Sequence, residues 1–377
     1  MKVLSIGTDR KIFEAGSAVQ ARMIDYGTLF DELYIVVFAQ KSLGLTPQKI
    51  SENVWVYPTN SSSRWWYIKN ARALAKKIIT EKQLTPQTTI VSVQDPFETG
   101  LVGTKLKKKG FKLQVQIHTD FLSPWFTKHS WLNWVRVIIA KRVIKKASTI
   151  RVVSDRIKQS LLKRGVSEQK ITVLPIFVPA PEIKKTDFNL HLQFPQWATI
   201  ILMASRLTSE KNISQAIESF KKIPMNHPSA GLVIVGEGEC KENLQQLVKK
   251  AGIKNNVAFV SWQSDLSAYY ATADIFLSTS LYEGYGLTLI EAARASLCIV
   301  TSDVGVVGSV LKNQESAVVV PVNDVFGFTS ALKSVITDKQ LRAKLATGAK
   351  VAVEKISTDK SLYLQYYMKA SEDTLNS

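Results

Sequence analysis

Apolar runs of four to six residues recur along this chain, and stretches with helical spacing separate them. In the first half the runs 2–7, 33–38, 54–57, 89–93, 113–117, 149–153 and 171–174 read as strands. Helical patterns fall between them, for example over 18–30, 98–109 and 130–147. Strand and helix thus alternate almost throughout, which predicts a parallel sheet covered on both faces.

The pattern breaks at Pro175-Ile176-Phe177-Val178-Pro179-Ala180-Pro181. Three prolines in seven residues continue neither a helix nor a central strand, so a linker is expected here. Polar sequence follows to about Trp197, and alternation then restarts with strands over 199–204, 232–235, 257–260, 274–278, 298–301 and 317–320. The expected organisation is a first α/β domain over 1–178, a linker over 179–197 and a second α/β domain over 198–358. The tail, 359–377, reads as a helix without a strand partner. Two such domains joined by a Pro-rich linker leave a cleft, and clefts of this kind bind ligands.

A length of 377 residues agrees with two domains. No run approaches 18 consecutive apolar residues, so no transmembrane helix is expected. The start reads as a first strand that turns at Gly7, not as a signal peptide. Cys240 and Cys298 make no disulfide framework and have no zinc spacing, and a cytoplasmic location is the default expectation. The net charge of +18 calls for an anionic partner: a phosphate-bearing substrate, an anionic lipid surface or nucleic acid. Nucleic acid ranks last, because neither zinc-finger spacing nor an RNA-recognition aromatic motif is present.

The most informative stretch is Leu281-Tyr282-Glu283-Gly284-Tyr285-Gly286-Leu287-Thr288-Leu289-Ile290-Glu291. Two carboxylates stand eight residues apart, the first at a strand end and the second in the following helix. The glycines allow close backbone approach to a ligand, and the helix start offers free N–H groups to an anion. A turn followed by a solvated glutamate is the competing reading of the same spacing. Ser205-Arg206-Leu207-Thr208-Ser209-Glu210-Lys211-Asn212 is a second strand-to-helix loop. Arg206 and Lys211 beside a helix start suit a diphosphate, although surface charge alone would also place them there. Gly236, in Gly236-Glu237-Gly238-Glu239, belongs to a third loop of this type and is a weak signal by itself.

In the first domain, Gly16 stands at a helix start and could bring N–H groups to a phosphate. The loop lacks the Gly-x-Gly-x-x-Gly fingerprint, which counts against a nicotinamide enzyme. His118 and Asp95 both follow strands at the expected ligand edge, and Asp120 lies two residues beyond His118. A histidine hydrogen-bonded in a turn is the plainer account of His118. No two histidines stand at ligand spacing, so no metal site is expected. Two segments interleave tryptophan with cations: Arg64, Trp65, Trp66 and Lys69 in one, Trp131 and Trp134 beside Arg136, Lys141, Arg142, Lys145 and Lys146 in the other. They suit an anionic membrane interface, or else a core-facing stripe with a solvated basic face.

Taken together, these motifs resemble the family 4 retaining glycosyltransferases of the GT-B fold, over nearly the whole chain. The resemblance implies two Rossmann-like doubly wound domains facing across a cleft, with the tail helix crossing back onto the first. It implies that Arg206 and Lys211 hold the diphosphate of a sugar nucleotide and that Glu283 contacts the donor sugar. Gly284, Tyr285, Gly286 and Leu287 would supply backbone donors, Glu291 would contact the ribose, and Gly16 and His118 would reach the donor from the first domain. Three departures stand out. Asn212 replaces a usual glycine, Ala295-Ser296-Leu297-Cys298 replaces a small-Gly-x-Pro step, and Ser309 stands where a glutamate is common.

The expectation is therefore an enzyme of hexosyltransferase type, without cofactor or metal, moving a sugar from a nucleotide diphosphate sugar to a glycan or lipid-linked acceptor. Asp95 and Asp120 are acceptor-side candidates, and peripheral attachment to the inner face of the cell membrane is an expectation. A sugar-nucleotide epimerase on the same scaffold, a phosphorylase with a pyridoxal cofactor and a non-catalytic basic membrane binder are the rivals. The sequence does not fix the oligomeric state.

Overall fold

The computed structural model describes residues 1–179, 188–356 and 358–377. The chain divides into two compact units, Met1–Pro175 with Lys360–Ser377, and Ile176–Asp359.

The first unit is an eight-stranded sheet. Its strands are β1 (Lys2–Gly7), β2 (Glu32–Val37), β3 (Gln48–Ser51), β4 (Val54–Pro58), β5 (Thr89–Val93), β6 (Lys112–Ile117), β7 (Thr149–Val152) and β8 (Ile171–Val173), in the order β3-β4-β2-β1-β5-β6-β7-β8. All neighbours pair in parallel except β3, which runs antiparallel to β4 with a register shift between Lys49 and Ser51. β3 was not anticipated from the sequence. At the sheet edge its Gln48-Lys49-Ile50-Ser51 need not be apolar on both faces, so it shows no hydrophobic run. The inner strands are buried residue after residue, as in β5. The helices Tyr67–Glu81, Glu98–Lys107 and Trp131–Lys146 pack side by side.

Helix Ala18–Gly27 and helix Lys360–Leu375 meet through aromatic rings. Tyr26 stacks on Tyr367 at 4.1 Å, and Phe30 lies 6.3 Å from the same ring. The last helix is held over the sheet by polar contacts as well. The Gln114 side-chain amide donates to the Ala370 carbonyl at 2.9 Å and to Thr374 Oγ1 at 3.0 Å. Arg151, on β7, is buried beneath the same helix, with its guanidinium 4.4 Å from the Tyr367 ring centroid and donating to Gln116 Oε1 at 2.5 Å.

The second unit has six parallel strands: β9 (Thr199–Ala204), β10 (Ala230–Val235), β11 (Val257–Val260), β12 (Ile275–Ser278), β13 (Cys298–Ser302) and β14 (Val318–Val320), in the order β11-β10-β9-β12-β13-β14. Its core joins Ile201, Met203, Ile217, Phe220, Ile234 and Phe328. From β9 the order runs outward on one side to β11, then returns and runs outward on the other from β12. The β9–β12 boundary is therefore the topological switch point, where open α/β sheets bind ligands at the carboxyl ends of their strands.

The expected linker, 179–197, is corrected at its end. Residues 180–187 lie outside the described residues, as does residue 357 of the expected second domain. Beyond them Leu190–Gln193 forms a short helix whose Leu190 is fully buried and donates its N–H to Thr272 Oγ1 at 3.2 Å. This segment is part of the second unit's fold. A single turn with one anchoring leucine has too little periodicity to stand out from polar sequence.

Candidate active site

In the second unit, the loop after β9 carries Arg206 and Lys211, and the loop after β12 carries Glu283. The two loops meet at the switch point. Lys211 Nζ is ion-paired with Glu283 Oε1, and both side chains are mostly buried, at 17% and 18% exposure. Ser280 Oγ donates to the same Glu283 oxygen at 2.8 Å. Thr279 Oγ1 donates to the carbonyls of Lys211 and Asn212 at 3.1 and 3.0 Å, and Leu281 N–H donates to the Glu210 carbonyl at 2.9 Å. These contacts join segments about seventy residues apart into one rigid ledge. Arg206 is 66% exposed and bonds Glu210 at 3.0 Å, so much of its guanidinium stays open to a ligand.

Asn212 lies in the left-handed region (φ 50°, ψ 40°) at the start of helix Ile213–Phe220. Asparagine is among the few residues that visit this region readily, so its replacement of glycine leaves the loop geometry intact. Gly236 has φ +151°, and a Cβ there would lie 1.9 Å from the Ser205 carbonyl oxygen. The Gly236 N–H is bonded to the Val260 carbonyl at 2.9 Å. Gly236 therefore lets its loop close on the β9 loop, and its N–H is committed to the sheet, not offered to an anion.

The Gly284-Tyr285-Gly286 turn is buried. Gly286 caps helix Leu287–Arg294 from the left-handed region, with φ 97°. The first N–H groups of that helix, beginning at Leu287, have no intrahelical acceptor. Tyr285 contributes packing: it is 4% exposed, and its carbonyl accepts from Val306 N–H at 2.9 Å. Burial pushes its phenol up to about 12. Glu291 accepts a hydrogen bond from the Tyr270 hydroxyl at 2.8 Å, and burial raises its pKa above the ordinary carboxylate value.

In the first unit, His118 follows β6. Its Nε2 lies 3.1 Å from Gln116 Oε1, while Gln116 Nε2 donates to Ser92 Oγ at 2.8 Å. Gln116 thus presents an acceptor to the ring, which assigns the imidazole proton to Nε2 and leaves Nδ1 to accept. Crowding, then the cations Arg151 and Arg22, lower the His118 pKa. The residue itself is exposed, so water offsets part of the first cause and screens the cations as well. Gly16 has φ +76° as expected of a turn glycine, but its N–H is bonded to Gln20 Oε1 at 3.1 Å. A phosphate would reach that N–H only by displacing the Gln20 amide.

Asp95 accepts from Phe97 N–H at 2.7 Å, and burial raises its pKa to about 6. Asp120 is 8% exposed, and its Oδ1 has no hydrogen-bond partner among the described residues. Burial raises its pKa as well, opposed by Arg156. The Leu122 and Ser123 backbone N–H groups act on the same carboxyl, so it is held locally and is not left without a donor.

The tryptophans are not a core stripe. Trp65 is 90% exposed, Trp131 73% and Trp134 60%. Helix Trp131–Lys146 buries Asn133, Val137, Ala140, Val143 and Ile144 instead. Arg64 is exposed, and Lys69 Nζ lies 4.6 Å from the Trp66 ring centroid. Among the described residues no helix is long and apolar enough to cross a membrane, and no group of three or more potential metal ligands gathers.

Sequence reasoning missed Ser280 and Thr279, which lock the ledge, and Tyr270, which holds Glu291. The only available signal was a pair of hydroxyls closing an otherwise apolar strand.

Comparison with known proteins agrees with this geometry. Residues 188–351 match the family model of glycosyl transferases group 1, and residues 32–180 match that of glycosyltransferase family 4. A UDP-Gal:alpha-D-GlcNAc-diphosphoundecaprenol alpha-1,3-galactosyltransferase of Escherichia coli is 28% identical over 221 residues, 56% of this chain and 55% of that protein. A lipopolysaccharide core biosynthesis glycosyltransferase of Rhizobium meliloti is 25% identical over 179 residues, 48% of this chain and 51% of that one. The chain thus spans about half the length of these curated relatives. Among solved structures, Anabaena HepE in complex with UDP superposes with a TM-score of 0.74 at 18% identity, covering 99% of this chain and 100% of that one. Sucrose-phosphate synthase from Thermosynechococcus elongatus gives 0.79 at 18%, covering both chains in full. At such identities the superpositions establish the fold alone. With its two α/β units matched in turn by the two family models, the chain belongs to the family 4 glycosyltransferases of the GT-B fold.

Proposed function

We propose that this protein transfers a hexose from a nucleotide diphosphate sugar, with a uridine nucleotide preferred, to an acceptor hydroxyl with retention of anomeric configuration. The observation that carries the reading is the meeting of Arg206, Lys211 and Glu283 at the switch point of the second sheet. Lysine has three N–H donors, and Glu283 takes one, so Lys211 keeps two for a phosphate. Breaking the bond between the sugar's C1 and the diphosphate oxygen builds negative charge on the β-phosphate. Arg206, Lys211 and the helix-start N–H groups at Leu287 stabilise that charge more in the transition state than in the ground state. The acceptor oxygen bonds to C1 on the face the diphosphate leaves, and the departing phosphate takes the hydroxyl proton. Protein cations fill the electrostatic role here, so the reading includes no divalent metal. Support for uridine comes from HepE, solved with UDP and with UDP-glucose, and from the E. coli relative, named for UDP-Gal.

The acceptor in this reading is lipid-linked or membrane-proximal. The E. coli relative is named for a diphosphoundecaprenol acceptor. Helices in right-handed crossovers of a parallel sheet begin near the carboxyl ends of its strands. Trp65 and Trp66, just before helix Tyr67–Glu81, and Trp131 and Trp134, at the start of helix Trp131–Lys146, therefore stand at the edge that carries Asp95, His118 and Asp120. Asp95 and Asp120 on that edge are the acceptor-side carboxylates of this reading.

Thermal-shift and hydrolysis measurements against UDP-, GDP- and ADP-sugars test the donor. Stabilisation and slow hydrolysis with one nucleotide class are expected, with the anomeric configuration of the released sugar retained. Absence of stabilisation by every sugar nucleotide overturns the reading, and conversion of donor to its epimer without acceptor replaces it with an epimerase. Sedimentation with vesicles tests the membrane: binding rises with anionic lipid, falls with salt and weakens in Trp65→Ala/Trp66→Ala. Protein left in the supernatant at low salt rejects it.

A further inference from the structure

Beside helix Trp131–Lys146 lies a cavity of ≈ 620 Å³ belonging wholly to the first unit. Its floor is apolar, made by Phe121, Leu122, Ile144, Leu161 and Val166. Its rim is cationic, with Lys141, Lys145, Arg164 and Lys170, and no acidic residue lines it. Of the two acids adjacent in sequence to its lining, Glu168 is bonded to Lys158 at 2.7 Å and Asp120 is buried at 8% exposure. A pocket for a free sugar or nucleotide needs polar groups converging on its floor, and a site for inorganic phosphate needs no apolar floor. Apolar floor and cationic rim together match one chemical class, an anionic amphiphile.

The outward face of the neighbouring helix agrees. Trp131, Trp134, Val135 and Ile138 succeed one another at helical spacing and lead into Lys141, Arg142 and Lys145. Trp131, Trp134 and Val135 are exposed, as are Lys141, Arg142 and Lys145. A helix with such a face lies along an anionic interface, aromatic rings inserted and cations at the headgroups. The cavity opens beside its cationic half. It extends to Phe121 and Leu122, which directly follow Asp120 at the candidate site edge.

We infer that this cavity holds a single phosphate-bearing lipid of the membrane, its phosphate among Lys141, Lys145, Arg164 and Lys170 and the first part of its chain on the apolar floor. The inference deepens the reading of a membrane-proximal acceptor and rests on it. The site docks the first unit on anionic lipid in a fixed orientation, with the Asp120 edge toward the surface that carries the acceptor.

The test uses the full chain and dodecyl phosphate below its critical micelle concentration, so that no membrane is present. Calorimetric titration is compared for wild type, Lys145→Glu/Arg164→Glu and Trp131→Ala/Trp134→Ala. All four substituted residues are exposed, and thermal melts check that the variants fold. The charge reversal is expected to weaken dodecyl phosphate binding about tenfold or more. The tryptophan variant is expected to bind dodecyl phosphate as wild type does, yet to lose sedimentation with phosphatidylglycerol vesicles. Inorganic phosphate and dodecyl maltoside, carrying the anion or the chain alone, are expected to bind poorly. Unchanged dodecyl phosphate affinity in the charge reversal, or inorganic phosphate competing as well as the amphiphile, overturns the cavity. Undiminished vesicle binding by both variants removes this helix and cavity from the membrane contact, wild-type protein left in the supernatant overturns the membrane reading itself, and UDP-sugar stabilisation in the same samples reports separately on the transferase reading.

Discussion

Lys211 and Glu283, 72 residues apart in sequence, form an ion pair that ties the loop after β9 to the loop after β12. Neither is fully buried, and Ser280 supplies Glu283 with a second donor. The pair is part of the rigid ledge as well as of the donor site. Lys211→Ala is expected to lower kcat by roughly 10²–10³, the effect of losing one preorganised donor to developing charge. The double variant Lys211→Ala/Glu283→Gln should lose less than the two single losses combined, because each residue positions the other. Additive losses in a double-mutant cycle of kcat/KM would show that the two act independently.

Arg206 gives the opposite balance of stability and activity. It is mostly exposed, and its Glu210 partner is on the same short turn, a setting in which ion pairs contribute little to folding. Arg206→Ala should leave the urea midpoint nearly unchanged while reducing turnover about a hundredfold or more. Arg206→Lys should recover only part, since an ammonium cannot form the paired hydrogen bonds of a guanidinium. Full activity in the lysine variant would remove the bidentate phosphate contact from the mechanism.

Ser296 has φ +60° just beyond helix Leu287–Arg294, and the Leu297 N–H returns to the Ala292 carbonyl at 3.0 Å. This is a helix stop that favours glycine, and an L-residue other than Asn or Asp is strained there. Ser296→Gly should stabilise the protein by about 0.5–1 kcal/mol after the extra freedom of glycine in the unfolded chain is subtracted. Equilibrium urea unfolding reads this directly. A destabilised glycine variant would mean that the serine side chain makes a compensating contact.

Asp95 gives a pH dependence with a definite sign. Burial raises its pKa from the ordinary 3.8 to about 6 in the folded protein, so folding takes up a proton between those values. Its contribution is fully present below about pH 4 and is lost as pH rises through about 6, a cost of roughly 3 kcal/mol at neutral pH. Asp95→Asn keeps an acceptor for the Phe97 N–H and removes the charge. It should match wild type at pH 4 and exceed it at pH 8 in thermal melts. Parallel stability-versus-pH curves for the two proteins would contradict this.

The parallel strands were legible because burial on both faces writes them as unbroken apolar runs, as in Thr89–Val93 and Thr199–Ala204. The edge strand Gln48–Ser51 was not, since none of its residues is fully buried and its pairing is antiparallel. The site loops were legible through Gly286, Arg206 and Lys211, whose residue types are dictated by backbone geometry or by charge. Their connections were not. Thr279 and Tyr270 act across 21 residues or more, Ser280 acts within its own loop, and a hydroxyl carries no local mark of its partner. Nor does Arg151 differ in sequence from the many surface cations of this basic chain, although it lies buried under a tyrosine. The tryptophans fitted two opposite readings, and only the helix's buried face, Asn133 to Ile144, decides between them.

The helix Lys360–Leu375 imposes an order of events on synthesis. Everything else in the first unit has been made once Pro175 is joined, yet the helix that covers Gln114, Arg151 and Tyr26 comes after the entire second unit. At ribosomal rates of about 5–20 residues per second, the intervening segment takes on the order of 10–40 s to appear. Throughout that interval Arg151 on the sheet and the Tyr26 ring on helix Ala18–Gly27 lack their cover in the growing chain. The first unit is thus the first to begin folding and the last to finish, and its completion marks the point at which the second unit has already been made.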